Sequence, residues 1–178
     1  MSEVSQDDVS GWLPPDRLEW VRRKLPIVYV EAVPVRVDGA GNVRQIALLL
    51  RADHAGGLSR ALVSGRVLYH EQIRDALLRH LEKDLGSVCL PRLPVAPQPF
   101  TVAEYFPTPG FTAFHDPRQH AVSLAYVVPV DGDCQPQQDA LELAWLSPEE
   151  VIEPDVQAEM VPGHAALLRA ALAYSGRY

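Results

Sequence analysis

Gly65-Arg66-Val67-Leu68-Tyr69-His70-Glu71-Gln72-Ile73-Arg74-Asp75-Ala76-Leu77-Leu78-Arg79-His80-Leu81-Glu82-Lys83-Asp84-Leu85-Gly86-Ser87 is the stretch that decides how this chain folds. Ile73, Ala76, Leu77, Leu81 and Leu85 recur at helical spacing, while Arg74, Glu82 and Lys83 lie on other faces. The pattern predicts a helix over residues 71–85, stopped by Gly86 where a helix C-terminal glycine belongs. Residues 64–70 before it read as a loop. Glu71 then stands at the helix N-terminus, where the helix dipole favours an acid.

Upstream, residues 27–37 are rich in β-branched side chains and predict a strand, with Pro34 marking a bulge or an edge. Asp38-Gly39-Ala40-Gly41-Asn42 is a turn by composition. Residues 43–51 return as a strand whose Leu48, Leu49 and Leu50 form the apolar run of an element buried on both faces. A turn at His54-Ala55-Gly56-Gly57 leads to a third short strand over residues 58–63. Residues 1–13 read as a loose arm, followed by a short helix from Arg17 to Lys24 with Leu18 and Val21 on one face.

Downstream, the four prolines of residues 91–99 exclude regular structure. Strands are expected at residues 100–106, 121–130 and 141–146, and a C-terminal helix at 162–174. Ser147-Pro148-Glu149-Glu150 has the form of a capping box with proline in the first turn. Strands, a helix, more strands and a helix, with no internal repeat, suit a mixed sheet between helices.

The chain has 178 residues, 47% of them hydrophobic and 22% charged, which suits one globular domain. Its net charge of -7 argues against a nucleic-acid binder, which needs a basic face, but leaves room for a small phosphorylated ligand held by a few arginines. Cys89 and Cys134 form no CxxC pair and read as free thiols in a reducing compartment. The acidic N-terminus lacks an apolar signal core, and no apolar run approaches the ~20 residues of a membrane span. A soluble, cytoplasmic protein without membrane partners is the expectation.

The segment from Gly65 resembles the loop-helix motif of the Nudix hydrolases. Gly65, Glu71, Arg79, Leu81 and Gly86 match that motif at its spacing, Asp84 replaces a glutamate, and His80, Lys83 and Ser87 depart from it. Ser64 stands where the family's entry has a glycine, and Trp145-Leu146-Ser147-Pro148-Glu149-Glu150 resembles the junction that closes the fold. The likeness spans about residues 27–174. It implies an α/β fold, the Nudix-type α/β/α sandwich with a mixed β-sheet, made of residues 26–178 behind an arm and short helix of residues 1–25. It implies an ion pair between Glu71 and Arg79, and hydrolysis of a nucleoside diphosphate linked to another group, such as a nucleotide sugar. Many relatives also dimerise, which makes a homodimer an expectation.

Relatives cluster three glutamates on one helix face to hold metal; here that face carries His80, Lys83 and Asp84. Mg²⁺ prefers hard oxygen ligands and neutralises phosphate charge. Three readings follow. Asp84 with a backbone carbonyl near Ser64 or Gly65 holds one Mg²⁺ or Mn²⁺ with the substrate phosphates; GDP-mannose mannosyl hydrolases, a branch lacking some of these glutamates, keep an acid before Leu-Gly as in Asp84-Leu85-Gly86. Alternatively Lys83 contacts phosphate in place of metal. In the third, the site only binds a ligand, or none, as a non-catalytic regulatory module.

The resulting candidates are Asp84, Glu71, Arg79 and His120 for catalysis and Arg51, Arg66, Lys83 and His80 for substrate. Asp84 and Gly65 are the candidates for metal. Arg51 and Arg66 read equally well as exposed charges. Glu104, His115, Asp116 and His120 are candidates for a base by type, although a solvated loop explains the cluster of residues 115–120 as well. Tyr105, Phe106, Phe111 and Phe114 could stack on a base or sugar but are more simply core, and His54 and His164 read as surface residues.

Overall fold

The structure, a computed structural model, describes residues 11–52 and 56–175; the first ten residues of the expected arm, and His54 and Ala55 of the expected turn, lie outside it. Strands β1 (Ile27–Val37) and β2 (Val43–Ala52) pair antiparallel, joined by a turn in which Asp38 Oδ1 accepts the backbone N–H of Ala40 and Asn42, both at 2.9 Å. Five residues whose own side chain closes the loop explain the Asp-Gly-x-Gly-Asn composition.

β1 is a central strand. It runs parallel to β6 (Ala121–Pro129) from Ile27 to Val35, and β6 pairs antiparallel with β5 (Thr101–Tyr105). On its other side the neighbour changes midway: β4 (Val63–Arg66) pairs with Tyr29 to Ala32, and β2 from Val35 onward. Pro34 falls at this changeover, where its missing N–H interrupts no antiparallel ladder, and the register irregularity lies instead between Arg36 and Val37.

The third strand differs from its sequence reading. Residues 58–66 form two short strands, β3 (Leu58–Ala61) on β2 and β4 on β1, changing partner at Leu62. β1 and β2 share pairs only near Val35–Val37 and then splay, and this segment crosses the widening gap between them. Ser64, Gly65 and Arg66 have little strand propensity of their own; pairing with Glu31, Val30 and Tyr29 overrides it.

β1 alternates its side chains between two cores. Val30 and Ala32 face helix α2 (Ile73–Leu85), whose Ala76, Leu77, Leu81 and Leu85 are buried against them with Leu49 and Tyr126. Val33 and Val35 face helix α4 (Pro162–Tyr174), which buries Leu167, Leu168, Ala171 and Leu172 with Ile46 and Leu48. Each of these leucines contributes about 1.5–3 kcal/mol on burial. The result is an α/β/α sandwich around a mixed seven-stranded sheet, with β7 (Ala140–Leu146) on the outer side of β2.

Ser147 and Glu150 form the reciprocal capping box: Glu150 Oε2 accepts the Ser147 N–H at 2.7 Å and Ser147 Oγ accepts the Glu150 N–H at 3.2 Å. The box opens a 3-10 turn, Glu150–Ile152, and a short helix α3 (Pro154–Glu159) that hydrophobic period does not signal. Helix α1 (Pro15–Arg22) buries no residue and is tied to the loop before β6 by Arg22 Nε donating to Gln119 Oε1 at 2.9 Å. Cys89 and Cys134 are free and buried, and burial, reinforced by Cys134 nearby, pushes the Cys89 thiol up to about 11. Among the described residues no helix is long and apolar enough to cross a membrane.

Candidate functional site

A cleft of about 680 Å³ opens where residues 59–66 cross from β2 to β1. Its size is that of a small-molecule site. Because it lies at the splay of two strands, it receives side chains from both faces of the sheet.

The floor is Glu31, which is 4% exposed. Its Oε1 accepts Tyr105 Oη–H at 2.9 Å and faces His164 Nε2 at 3.1 Å, with Ser64 Oγ at 3.5 Å; its Oε2 accepts Ser123 Oγ–H at 2.9 Å. His164 Nδ1 accepts the backbone N–H of Leu62 at 3.0 Å, so the ring proton sits on Nε2 and points at Glu31. A buried carboxylate is tolerated only with such donors around it. Tyr105 reaches this place because Gly163 at the start of α4 has no Cβ: one there would lie 2.7 Å from the Tyr105 ring. His164 is thus a half-buried partner of Glu31 and not the surface residue its sequence context suggests. Sequence reasoning missed Glu31 too. Its signal was an acid amid the apolar residues of a strand whose alternation should have turned it inward.

Glu71 and Arg79 clamp the loop that leads into α2. Arg79 Nε and Nη2 donate to the two Glu71 oxygens at 2.7 and 2.8 Å, and Nη2 also donates to Arg66 O at 3.0 Å. Glu71 Oε2 accepts the Leu68 N–H at 2.8 Å. The Arg79 hydrogen bonds hold the Glu71 carboxyl below its usual range, against burial that pushes the other way. Arg79 and Arg66 also lie over the Trp12 ring, at 5.6 and 5.7 Å, so the N-terminal arm forms part of the cleft wall.

His80 is 6% exposed and its Nε2 lies 3.0 Å from Arg66 O, an acceptor, which puts the ring proton on Nε2. Burial lowers its pKa and keeps it neutral. Its ring fills the space over Gly65: a Cβ at Gly65 would stand 1.9 Å from the imidazole. That packing explains the glycine in this chain.

Asp84 is fully buried on the same helix face. Arg51 Nη2 lies 2.7 Å from its Oδ2 and Lys83 Nζ 3.9 Å from its Oδ1. Leu49 and Arg51 share the β2 face turned to α2, which is why the arginine reaches the helix. Arg51 Nη1 stands 3.5 Å from Asp139 Oδ1 at the cleft mouth. The donor set does not fit the divalent cation the resemblance implies: it offers one carboxylate, already in contact with a guanidinium. Among the described residues no three His, Cys, Asp or Glu side chains gather to hold a metal ion.

Other candidates divide. Arg66 lines the cleft, where burial lowers the pKa of its guanidinium without removing the charge. His115, Asp116, Arg118 and Gln119 line its far side, where Arg118 Nε and Nη2 each bond Asp116 at 2.9 Å and Gln119 Nε2 donates to Tyr29 Oη at 3.0 Å. His120 does not belong to the lining: Gln119 and Ala121 turn inward, and the ring between them stacks on Phe106 with centroids 4.5 Å apart. Glu104 alternates away from Tyr105 and is exposed. Of the aromatic candidates only Tyr105 lines the cleft; Phe106 and Phe111 pack edge to face on each other, and Phe111 is largely exposed.

Comparison with known proteins places these features. Residues 8–177 match a family described as a domain of unknown function, DUF4916. A crystal structure from Jonesia denitrificans DSM 20603, described as a possible asymmetric diadenosine tetraphosphate hydrolase, is 65% identical, with 86% of this chain and 97% of that chain covered and a TM-score of 0.84. The fold is shared with the MutT Nudix hydrolase from Burkholderia pseudomallei, at 20% identity, 83% and 98% coverage and a TM-score of 0.59. It is shared also with the Nudix domain of Shewanella oneidensis NrtR, solved with ADP ribose, at 16% identity, 96% and 98% coverage and a TM-score of 0.61. No curated protein matches the chain. With the sandwich, the loop-helix segment and these likenesses agreeing, the chain belongs to the DUF4916 family and has the fold of the Nudix hydrolases.

Proposed function

We propose that the protein is a Nudix-type hydrolase whose cleft takes a nucleotide-type substrate with linked phosphates and cleaves one phosphoanhydride bond. The observation that carries this reading is the charge of the cleft. Its lining holds five cations, Arg51, Arg66, Arg79, Lys83 and Arg118, and three carboxylates, Glu31, Asp116 and Asp139, in a chain of net charge -7. Asp84 and Glu71, behind the lining, pair with Arg51 and Arg79, so the wall is a cluster of guanidinium groups held in place by carboxylates, an arrangement that suits bidentate phosphate recognition. Arg51, Arg66, Lys83 and His80 are the substrate contacts in this proposal, with Trp12 and Tyr29 offering flat surfaces for a base or sugar. The description of the Jonesia denitrificans relative, and the ADP ribose in the NrtR domain, favour dinucleotide or nucleoside diphosphate chemistry. Two free buried thiols suit a reducing, cytoplasmic setting. We read residues 1–25 as an extension of the domain of residues 26–178.

A second reading is favoured by the Arg51–Asp84 contact, which removes the last acid of the helix face from metal duty. It makes the protein a module that binds such a ligand without cleaving it. One experiment separates them: chromatographic detection of mononucleotide and phosphate-ester products from diadenosine tetraphosphate, ADP ribose and nucleotide sugars with Mg²⁺ and Mn²⁺, run beside thermal shifts with the same compounds. Turnover establishes the hydrolase. Thermal stabilisation without turnover establishes the module, and neither response across the set removes both.

A further inference from the structure

The position that a divalent cation would take beside Asp84 is filled by the chain itself. Asp84 is 0% exposed, and a carboxylate so enclosed requires a compensating charge. Arg51 supplies it at 2.7 Å and Lys83 adds a second positive charge at 3.9 Å. The contact is ionic and poorly directed: neither Asp84 oxygen receives a well-aligned hydrogen bond, and Arg51 Nε and Nη2 find no hydrogen-bond acceptor. The carboxylate therefore serves as a counter-ion that centres the guanidinium, while the Nη1 edge of Arg51 is turned towards Asp139 and the cleft. His80, one helical turn away, is neutral and leaves its buried Nδ1 without a partner, so it neither neutralises Asp84 nor competes with Arg51.

We propose that Arg51, centred by Asp84 and assisted by Lys83, is a tethered cation standing in the place of the metal, so that this cleft binds phosphate without a divalent ion. The proposal rests on the reading of the cleft as a phosphate site. It makes a sharper claim: Asp84 is closed to metal as long as Arg51 is present.

The test has two arms. The first uses Mn²⁺ alone, followed by the loss of its free-ion EPR signal on titration with full-length protein. Wild type and Arg51→Lys leave the signal unchanged. Depletion by wild type that Asp84→Asn abolishes overturns the proposal. The second arm needs no variant that risks the fold. Inorganic pyrophosphate is titrated calorimetrically into wild type in EDTA and in Mn²⁺. Equal affinity in both supports a tethered cation, and a gain of about tenfold or more with Mn²⁺, over 1.4 kcal/mol, overturns it. Arg51→Lys, which keeps charge but loses the planar fork, should weaken binding in EDTA about tenfold. Absence of pyrophosphate binding in both buffers defeats the phosphate-site reading, while the Mn²⁺ arm still decides the place of Arg51.

Discussion

His164 Nε2 and Glu31 Oε1 meet at 3.1 Å across 133 residues of sequence, joining the first strand to the last helix at the bottom of the cleft. Leu62 N–H fixes the histidine tautomer from behind, at the residue where the chain changes from β3 to β4. The bond thus ties the strand crossover, the central strand and α4 into one rigid floor. Tyr105 and Ser123 complete the shell around the carboxylate.

Glu31→Gln should therefore destabilise the fold strongly. The carboxamide turns an N–H₂ towards donors that need an acceptor, and each stranded buried group costs about 1–3 kcal/mol. Urea unfolding of Glu31→Gln beside Glu82→Gln, an exposed acid on α2, measures this directly. Equal midpoints for the two variants would show that the network contributes nothing to stability.

Arg79→Ala strands Glu71, whose side chain is 13% exposed, and removes the bond to Arg66 O. The expected loss is about 2 kcal/mol, below the ~3–5 kcal/mol of a fully enclosed pair. Arg79→Lys should recover only part of it, because one ammonium cannot reproduce three directed bonds from a planar fork. Thermal melts of the three proteins give the order wild type, Arg79→Lys, Arg79→Ala; full recovery by lysine would reduce the clamp to simple charge.

Acid should destabilise the protein in two stages. His80 is held neutral by burial, so its folded pKa lies below its unfolded value of about 6.5, and the unfolded chain takes up protons first. Stability therefore falls as pH drops below about 6.5 and continues to fall to the lowered folded pKa. Glu71 is depressed as well, chiefly by Arg79; its contribution is complete above its unfolded value of about 4.3 and is lost as pH falls through the folded one. His80→Gln, which retains a donor for Arg66 O, should flatten the upper stage and leave the lower. Denaturant midpoints between pH 7.5 and 4 show this as a change of slope above pH 5, and an unaltered slope there assigns the upper stage to other groups.

Gly65→Ala should be costly and its cost should depend on His80. The added methyl group meets an imidazole held by Arg66 O, so either the ring leaves or β4 shifts, at about 1–3 kcal/mol for overpacking. With His80→Ala the space is free. The double variant should then be more stable than the sum of the singles, with a coupling of about 1 kcal/mol or more. Additive losses would mean that the glycine serves the backbone and not the ring.

How much of this was legible beforehand follows from the range of each interaction. Local patterns were decisive for α2 and α4, whose 3.6-residue apolar spacing depends only on neighbours one turn away, and for the Asp38 turn and the Ser147–Glu150 box, each closed within five residues. The resemblance carried by the loop-helix segment implied the pairing of Glu71 with Arg79, and the structure shows it at 2.7 Å. Tertiary structure alone decided the remainder. Ser64, Gly65 and Arg66 become a strand because β1 offers them partners, not because of any preference of their own. Glu31 became the floor because Tyr105, Ser123 and His164, 74 to 133 residues away in sequence, are brought to it by the sheet and α4. Asp84 meets Arg51 because the pleat of β2 turns Arg51 to the same side as Leu49, a fact of three-dimensional packing that a motif read along one helix cannot contain.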